Sequence, residues 1–92
     1  MFYYTYVLLC SNRLQIKNKF YIGYTKDIKK RYQRHLNKEV NTTKKFDQLK
    51  LIYFESCLNK TDARKRELQL KTGFGRGYIN KRISTYLKTI KK

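Results

Sequence analysis

Positive charge constrains this chain more than any other feature. Twenty-three lysines and arginines stand against six aspartates and glutamates, a net charge of +17 over 92 residues. A compact fold with that excess repels itself unless a polyanion neutralises it. The charge runs through the whole chain, including segments that read as helices, so neither a basic tail nor a membrane-surface patch accounts for it. Together with abundant aromatics, it points to a partner that is a nucleic acid, DNA before RNA.

The length sets one domain, residues 1–92, with a limited core drawn from a hydrophobic fraction of 40%. Nine tyrosines supply much of it; each packs as an apolar residue and keeps a usable hydroxyl. Cys10 and Cys57 lie in apolar runs, as buried structural thiols do, and two are too few for a zinc site of their own. Met1 is followed by Phe2 and tyrosines rather than by a basic and then an apolar stretch. No run reaches membrane-spanning length. The expectation is a reduced, cytoplasmic protein with no membrane partner.

Phe2–Cys10 (FYYTYVLLC) and Lys19–Tyr24 (KFYIGY) read as strands joined by a long, basic hairpin connection, SNRLQIKN. Thr25 or Asp27 is placed to cap a helix to about Lys38, with Ile28, Tyr32 and Leu36 as its apolar stripe. Leu49–Phe54 reads as a third strand. Thr61 is placed to cap a second helix to about Thr72, where Gly73 and Gly75 suit a stop and a flexible joint. A last helix from about Arg76 carries Ile79, Ile83, Tyr86, Leu87 and Ile90 on one face. That stripe either closes the core or meets a protein partner or second copy; its end is Lys88-Thr89-Ile90-Lys91-Lys92. The order β-β-α-β-α-α predicts an α+β fold: a small, mostly antiparallel three-stranded sheet flanked by helices.

With so few acids, each is informative. Asp27 and Asp62 suit helix starts, Glu39 and Asp47 suit solvated connections, and Glu55 ends a strand where it is open to solvent. Glu67 differs, because Ala63, Glu67 and Leu70 share the helix face that packs inward. A carboxylate there needs a cation or strong donors beside it. One reading is an ion pair with Lys71, one turn on. The sharper one is a ligand for Mg²⁺ or Mn²⁺, with water and phosphate completing the shell. Two-metal nucleases need several converging carboxylates, which this chain lacks, so a nuclease built on it uses one metal. Arg31 and His35, four apart, border the stripe of the first helix. An arginine held there suits bidentate contact with a phosphate. His35, the sole histidine, has the pKa of a proton carrier.

Tyr4-Thr5-Tyr6, followed by Tyr21-Ile22-Gly23, resembles the paired signature of the GIY-YIG nucleases. Tyr24-Thr25-Lys26-Asp27-Ile28-Lys29-Lys30-Arg31, with His35 four residues on, is similar to the family passage leading to its arginine. Ala63–Lys71 resembles the glutamate helix, and the likeness spans Tyr3 to Ile83. The first half-signature lacks the eponymous glycine and isoleucine, and the late asparagine has only Asn80 near its place. The resemblance implies a single-metal DNA endonuclease, structure-specific for substrates of repair or recombination, with Glu67 holding the metal and Arg31 stabilising charge. Tyr6 and Tyr21, facing each other across the hairpin, would flank the attacking water, with Tyr6 or His35 taking its proton. Gly23 would leave room for substrate, in a contact set with Lys26, Lys30, Lys44, Lys45, Lys71 and Arg76. Plain strand packing remains the alternative for the two tyrosines. For the whole chain, the alternative is a non-catalytic DNA- or RNA-binding module that keeps the fold.

Overall fold

A computed structural model describes residues 1–13 and 15–90 and, outside 15–17, their side chains. Seven elements follow in order: β1 (Tyr3–Asn12), β2 (Gln15–Thr25), α1 (Ile28–Leu36), β3 (Gln48–Cys57), α2 (Lys60–Leu70), α3 (Gly73–Arg82) and α4 (Ser84–Thr89). The class is α+β, as the residue pattern predicts, with one helix more than expected. Among the described residues no helix is long and apolar enough to cross a membrane.

The sheet has the order β2-β1-β3 and is antiparallel throughout. In the central β1, Thr5, Tyr6, Val7 and Leu8 are all buried. A continuous buried run replaces polar alternation because helices cover both faces. On one face Tyr6, Leu8, Cys10 and Leu49 pack under Ile28 and Tyr32 of α1. On the other, Val7 and Ile22 pack against Leu70 of α2 and Ile79 of α3. A bulge between Val7 and Leu8 breaks the register with β3. It turns both Ile52 and Tyr53 toward the α2–α3 side.

Both hairpin strands run further than their apolar cores predict. Asn12 pairs with Gln15 across most of the expected basic connection; backbone pairing overrides weak side-chain propensity there. Leu14, in that connection, and Lys91-Lys92 lie outside the described residues.

Asp27 caps α1, accepting from the Lys30 N–H at 3.0 Å. The helix ends at Leu36, two residues early, where Lys38 takes a left-handed turn (φ 62°). The expected stripe is also wrong at its end: Leu36 is 42% exposed, while His35 is fully buried. Helix geometry explains it. At roughly 100° per residue, Ile28 and a residue seven on differ by about 20°, but one eight on has drifted by about 80°.

Asn59, not Thr61, caps α2, accepting from the Thr61 and Asp62 N–H groups at 2.8 and 3.2 Å. The Thr5 hydroxyl donates to the Ala63 carbonyl (2.8 Å) and pins α2 to β1. Arg66 grips Glu55 through Nε (2.8 Å) and Nη2 (2.9 Å), tying α2 to β3. Glu55 is therefore a half-buried anchor rather than an open strand end.

Gly73 and Gly75 form no flexible joint; they are the first turn of α3. A Cβ on Gly75 would lie 1.8 Å from the Leu70 carbonyl oxygen, so glycine is needed for the closure of α3 on α2. The last helix breaks at Ile83, where ψ is 34°. The break aims Ile79 and Ile83 into the core and leaves Tyr86 and Leu87 half-buried. The apolar stripe thus serves core closure, with Ile90 38% exposed at its end. Both cysteines are free, Cys10 buried and Cys57 half-buried at the end of β3.

Two glycines of α3 should respond oppositely to alanine. Gly75→Ala should cost about 3 kcal/mol or more, since the blocking atom is backbone. Gly77→Ala, where a Cβ meets nothing within 4 Å, should stabilise by about 1 kcal/mol through helix propensity. Urea denaturation of the two variants checks this; equal effects would contradict the packing of α3 on α2.

Candidate active site

Tyr6 is the centre. It lies in the middle of the central strand, 1% exposed, with its ring leaning onto β2. A Cβ on the facing Gly23 would lie 2.4 Å from both Cζ and Oη of Tyr6. Gly23 is thus required because the tyrosine ring fills the space above it, which corrects the expectation that the glycine leaves room for substrate.

Around the Tyr6 hydroxyl the network is closed. Arg31 Nε donates to it at 3.2 Å, and His35 Nε2 lies 2.8 Å away. The opposite ring nitrogen, His35 Nδ1, is 2.8 Å from Thr43 Oγ1. Thr43 is 1% exposed and is held by turn hydrogen bonds from its own N–H to Val40 O and from Phe46 N–H to its carbonyl, both 3.1 Å. Tyr21 joins from β2, its ring centroid 6.2 Å from that of Tyr6 and 5.1 Å from that of His35. The two tyrosines are diagonal rather than opposite, because Tyr6 pairs with Gly23 and Tyr21 with Leu8. A shared face, not direct pairing, brings them together.

Burial sets the electrostatics. It pushes the Tyr6 phenol up to about 12, helped by the neighbouring charges of Tyr21 and Glu67 and opposed by Arg31. It pulls His35 down to about 4, helped by Arg31 and Arg34. The Tyr6 hydroxyl, followed by Tyr21, holds the Arg31 guanidinium above its ordinary value. At neutral pH the site therefore contains a protonated phenol, a neutral imidazole and a cationic guanidinium.

Glu67 comes from α2, on the other face of the sheet. With Ala63 and Leu70 it is buried, as the spacing predicts, and its charge reaches Tyr6. Lys71 Nζ lies 3.0 Å from its Oε2 and Arg64 Nε 3.6 Å from its Oε1. The ion pair with Lys71 is therefore present. A cleft of about 400 Å³ curves round the free edge of β2 between the two faces. Its lining includes Lys19, Tyr21, Thr42, Lys71, Thr72 and Arg76.

Of the expected contact set, Lys71 and Arg76 line this cleft. Lys26, Lys30, Lys44 and Lys45 are exposed and do not line it. Asn80 is exposed, its amide donating to Arg76 O within its own helix (2.9 Å). Sequence reasoning missed Lys19, Thr42 and Thr43. The two threonines sit in a polar stretch without periodicity, so no local pattern marks them.

Among the described residues no group of three His, Cys, Asp or Glu side chains forms a metal cage. Glu67 offers one hard carboxylate beside a cationic cleft. That donor set suits an ion that keeps most of its shell as water and phosphate, such as Mg²⁺ or Mn²⁺.

The family model of the GIY-YIG catalytic domain matches residues 2–82. A UPF0213 protein of Limosilactobacillus reuteri (strain DSM 20016) is 38% identical over 72 residues, covering 75% of this chain and 70% of that protein. A UPF0213 protein of Staphylococcus saprophyticus subsp. saprophyticus is 35% identical over 71 residues, covering 76% and 80%. No solved structure matches the chain.

The depressed histidine makes stability pH-dependent. Below pH 6.5 the unfolded chain protonates its histidine while the native state does not until about pH 4. Stability should hold above pH 6.5 and fall by about 3 kcal/mol as the pH drops to 4. Urea unfolding at pH 7, 5.5 and 4.5 measures the slope. In His35→Gln this contribution should vanish, and a slope unchanged by the substitution would place the acid sensitivity elsewhere.

Proposed function

The chain belongs to the GIY-YIG catalytic-domain family, and on that premise we propose that it is a metal-dependent endonuclease hydrolysing phosphodiester bonds in DNA. The observation that carries this reading is the hydrogen-bonded cluster of Tyr6, Arg31 and His35, with Glu67 in electrostatic reach across the edge of β2. Structured DNA of repair or recombination, such as flaps and forks, is the substrate class, and the cytoplasm the compartment. The whole chain, 1–92, acts as one nuclease domain.

Glu67 would hold the Mg²⁺ or Mn²⁺ ion, which supplies Lewis-acid polarisation of the phosphate when bound. Lys71, released from Glu67, turns to the substrate backbone with Arg76 and Lys19. Arg31, fixed through Nε on Tyr6, presents the rest of its fork to the charge that grows on phosphate during attack.

The general base is Tyr6 acting with His35. The imidazole is fully buried and meets solvent only through neighbours, so a proton from water reaches it by way of the phenol. As the Tyr6 oxygen accepts the proton of the attacking water, its own proton passes to His35 Nε2. In the free protein this transfer is steeply uphill, from a phenol near 12 to an imidazole near 4. A phosphate backbone paired with Arg31 and Arg34 removes the positive charge that helps hold His35 down. Substrate thereby narrows the gap, while burial, the larger cause, still holds His35 below its ordinary value.

A second reading, a nucleic-acid-binding module without catalysis, is favoured by one observation: both Glu67 oxygens already face cations, as in a purely structural ion pair. The variants separate the two. Glu67→Ala should abolish cleavage of labelled duplex, flap, forked and single-stranded DNA while binding stays equal or tightens. Arg31→Ala should lower the rate by about 10²- to 10³-fold. Magnesium, manganese and chelator arms, with matching RNA, complete the panel. Salt-sensitive binding without a cut under any metal would overturn the nuclease reading, and cleavage unchanged in Glu67→Ala would remove Glu67 from the metal site.

A further inference from the structure

The sheet face that carries Tyr6 is not covered along its whole width. Tyr6, Leu8, Cys10 and Leu49 form the apolar cluster under α1, whereas Phe54, the cross-strand partner of Tyr6 on β3, is 49% exposed. Pairing puts the two side chains on one face, about 5 Å apart at the backbone. The Tyr6 ring leans the other way, over Gly23 on β2, and so does not roof Phe54. Tyr4, two residues before Tyr6 and therefore on the same face, is half-buried. It meets Phe54 edge to face, with ring centroids 5.7 Å apart and planes at 69°. In that geometry each ring keeps at least one face that the other does not cover.

A single exposed phenylalanine is ordinary. This one is held by a second ring, beside the tyrosine cluster, in a chain of net charge +17. Two other aromatic faces are already taken: Arg64 lies over the Tyr24 ring at 5.1 Å and Arg66 over the Tyr78 ring at 4.6 Å. The neighbouring charge decides what fits on Phe54. Arg31 reaches the Tyr6 hydroxyl from α1, with exposed Lys30 one residue before it. Lys26, also exposed, follows Thr25, which pairs with Tyr4. An apolar protein surface gains nothing from these cations. A nucleotide uses both features, its phosphate on the cations and its base on the ring. Lys26 and Lys30, which do not line the cleft at the β2 edge, thereby acquire a partner.

We propose that Phe54, braced by Tyr4, is a stacking shelf for one unpaired base of a DNA strand whose phosphate is held at Arg31. Within a duplex the faces of a base are covered by its neighbours, so only an unpaired base offers a face to Phe54. The shelf selects single strands and the unpaired arms of flaps and forks over continuous duplex. It does so without reading sequence, since every base has a π face. That the held phosphate is the one cut rests on the nuclease reading above, whereas the stacking does not.

The chain contains no tryptophan, so Phe54→Trp places a single indole at the shelf. With chelator present, its emission should be quenched by a single-stranded oligothymidylate and not by a duplex of equal length. Phe54→Ala should lower the ratio of single-strand to duplex affinity about ten-fold, read by fluorescence anisotropy at one salt concentration. The salt dependence of binding should stay as it is, because no phosphate contact is lost. Phe54→Tyr, which keeps a ring, should keep the ratio. Quenching without strand preference, or a Phe54→Ala ratio equal to that of the wild type, would overturn the shelf. Indole emission that shifts with protein concentration in the absence of DNA would assign the face to a second copy and overturn it as well. If Phe54→Ala does not fold, the Phe54→Trp emission decides. A protein that stacks single strands but cuts none counts against the nuclease reading alone. Cleavage with an unchanged preference for flap over duplex in Phe54→Ala counts against the shelf alone.

Discussion

A phenol hydroxyl set into the buried face of the central strand is the constraint on which the rest of the site depends. Tyr6 is 1% exposed, so its oxygen and its proton both need partners within the site, and leaving either unmade costs roughly 1–3 kcal/mol. Arg31 and His35 supply them from α1, and Thr43 completes the chain behind the imidazole. Gly23 gives the ring its place across β2. Removing any one of these disturbs the others, because each group is satisfied through its neighbour.

The same central strand explains why the site forms at an edge. With helices on both faces of a three-stranded sheet, groups from α1 and α2 meet only round the outside of a border strand. β2 is that border, and the cleft along it joins Tyr21 from one face to Leu70, Lys71 and Arg76 from the other. Glu67 thereby acts on Tyr6 from across the sheet.

The six acids show how a chain of net charge +17 spends its few negative groups. Asp27 caps α1, Asp62 occupies the first turn of α2, and Asp47 accepts from the Arg13 N–H at 3.0 Å. Glu39 faces Arg34, and Glu55 binds Arg66 while accepting from the Tyr53 hydroxyl (2.8 Å). Burial alone would raise Glu55, but Arg66 and Tyr53 hold it below its usual value. Glu67 is the one acid placed beside both the tyrosine cluster and the cleft. The remaining basic surface is left free for a polyanion.

What the sequence by itself determined is what short-range rules encode. Charge named the partner class, apolar runs placed three strands, Asp27 marked a helix start, and helical spacing put Ala63, Glu67 and Leu70 on one buried face. The family signature brought Tyr6, Tyr21, Arg31, His35 and Glu67 into one list. Tertiary structure alone decided how they meet: the diagonal tyrosines, the ring over Gly23, the fully buried His35, the need for Gly75, and Thr43 as a partner. The contacts responsible span long stretches of chain, 29 residues from Tyr6 to His35 and 58 from Thr5 to Ala63. Periodicity and capping act within a turn or two of backbone. Which hydroxyl completes which buried hydrogen bond is settled only when distant segments pack and exclude water.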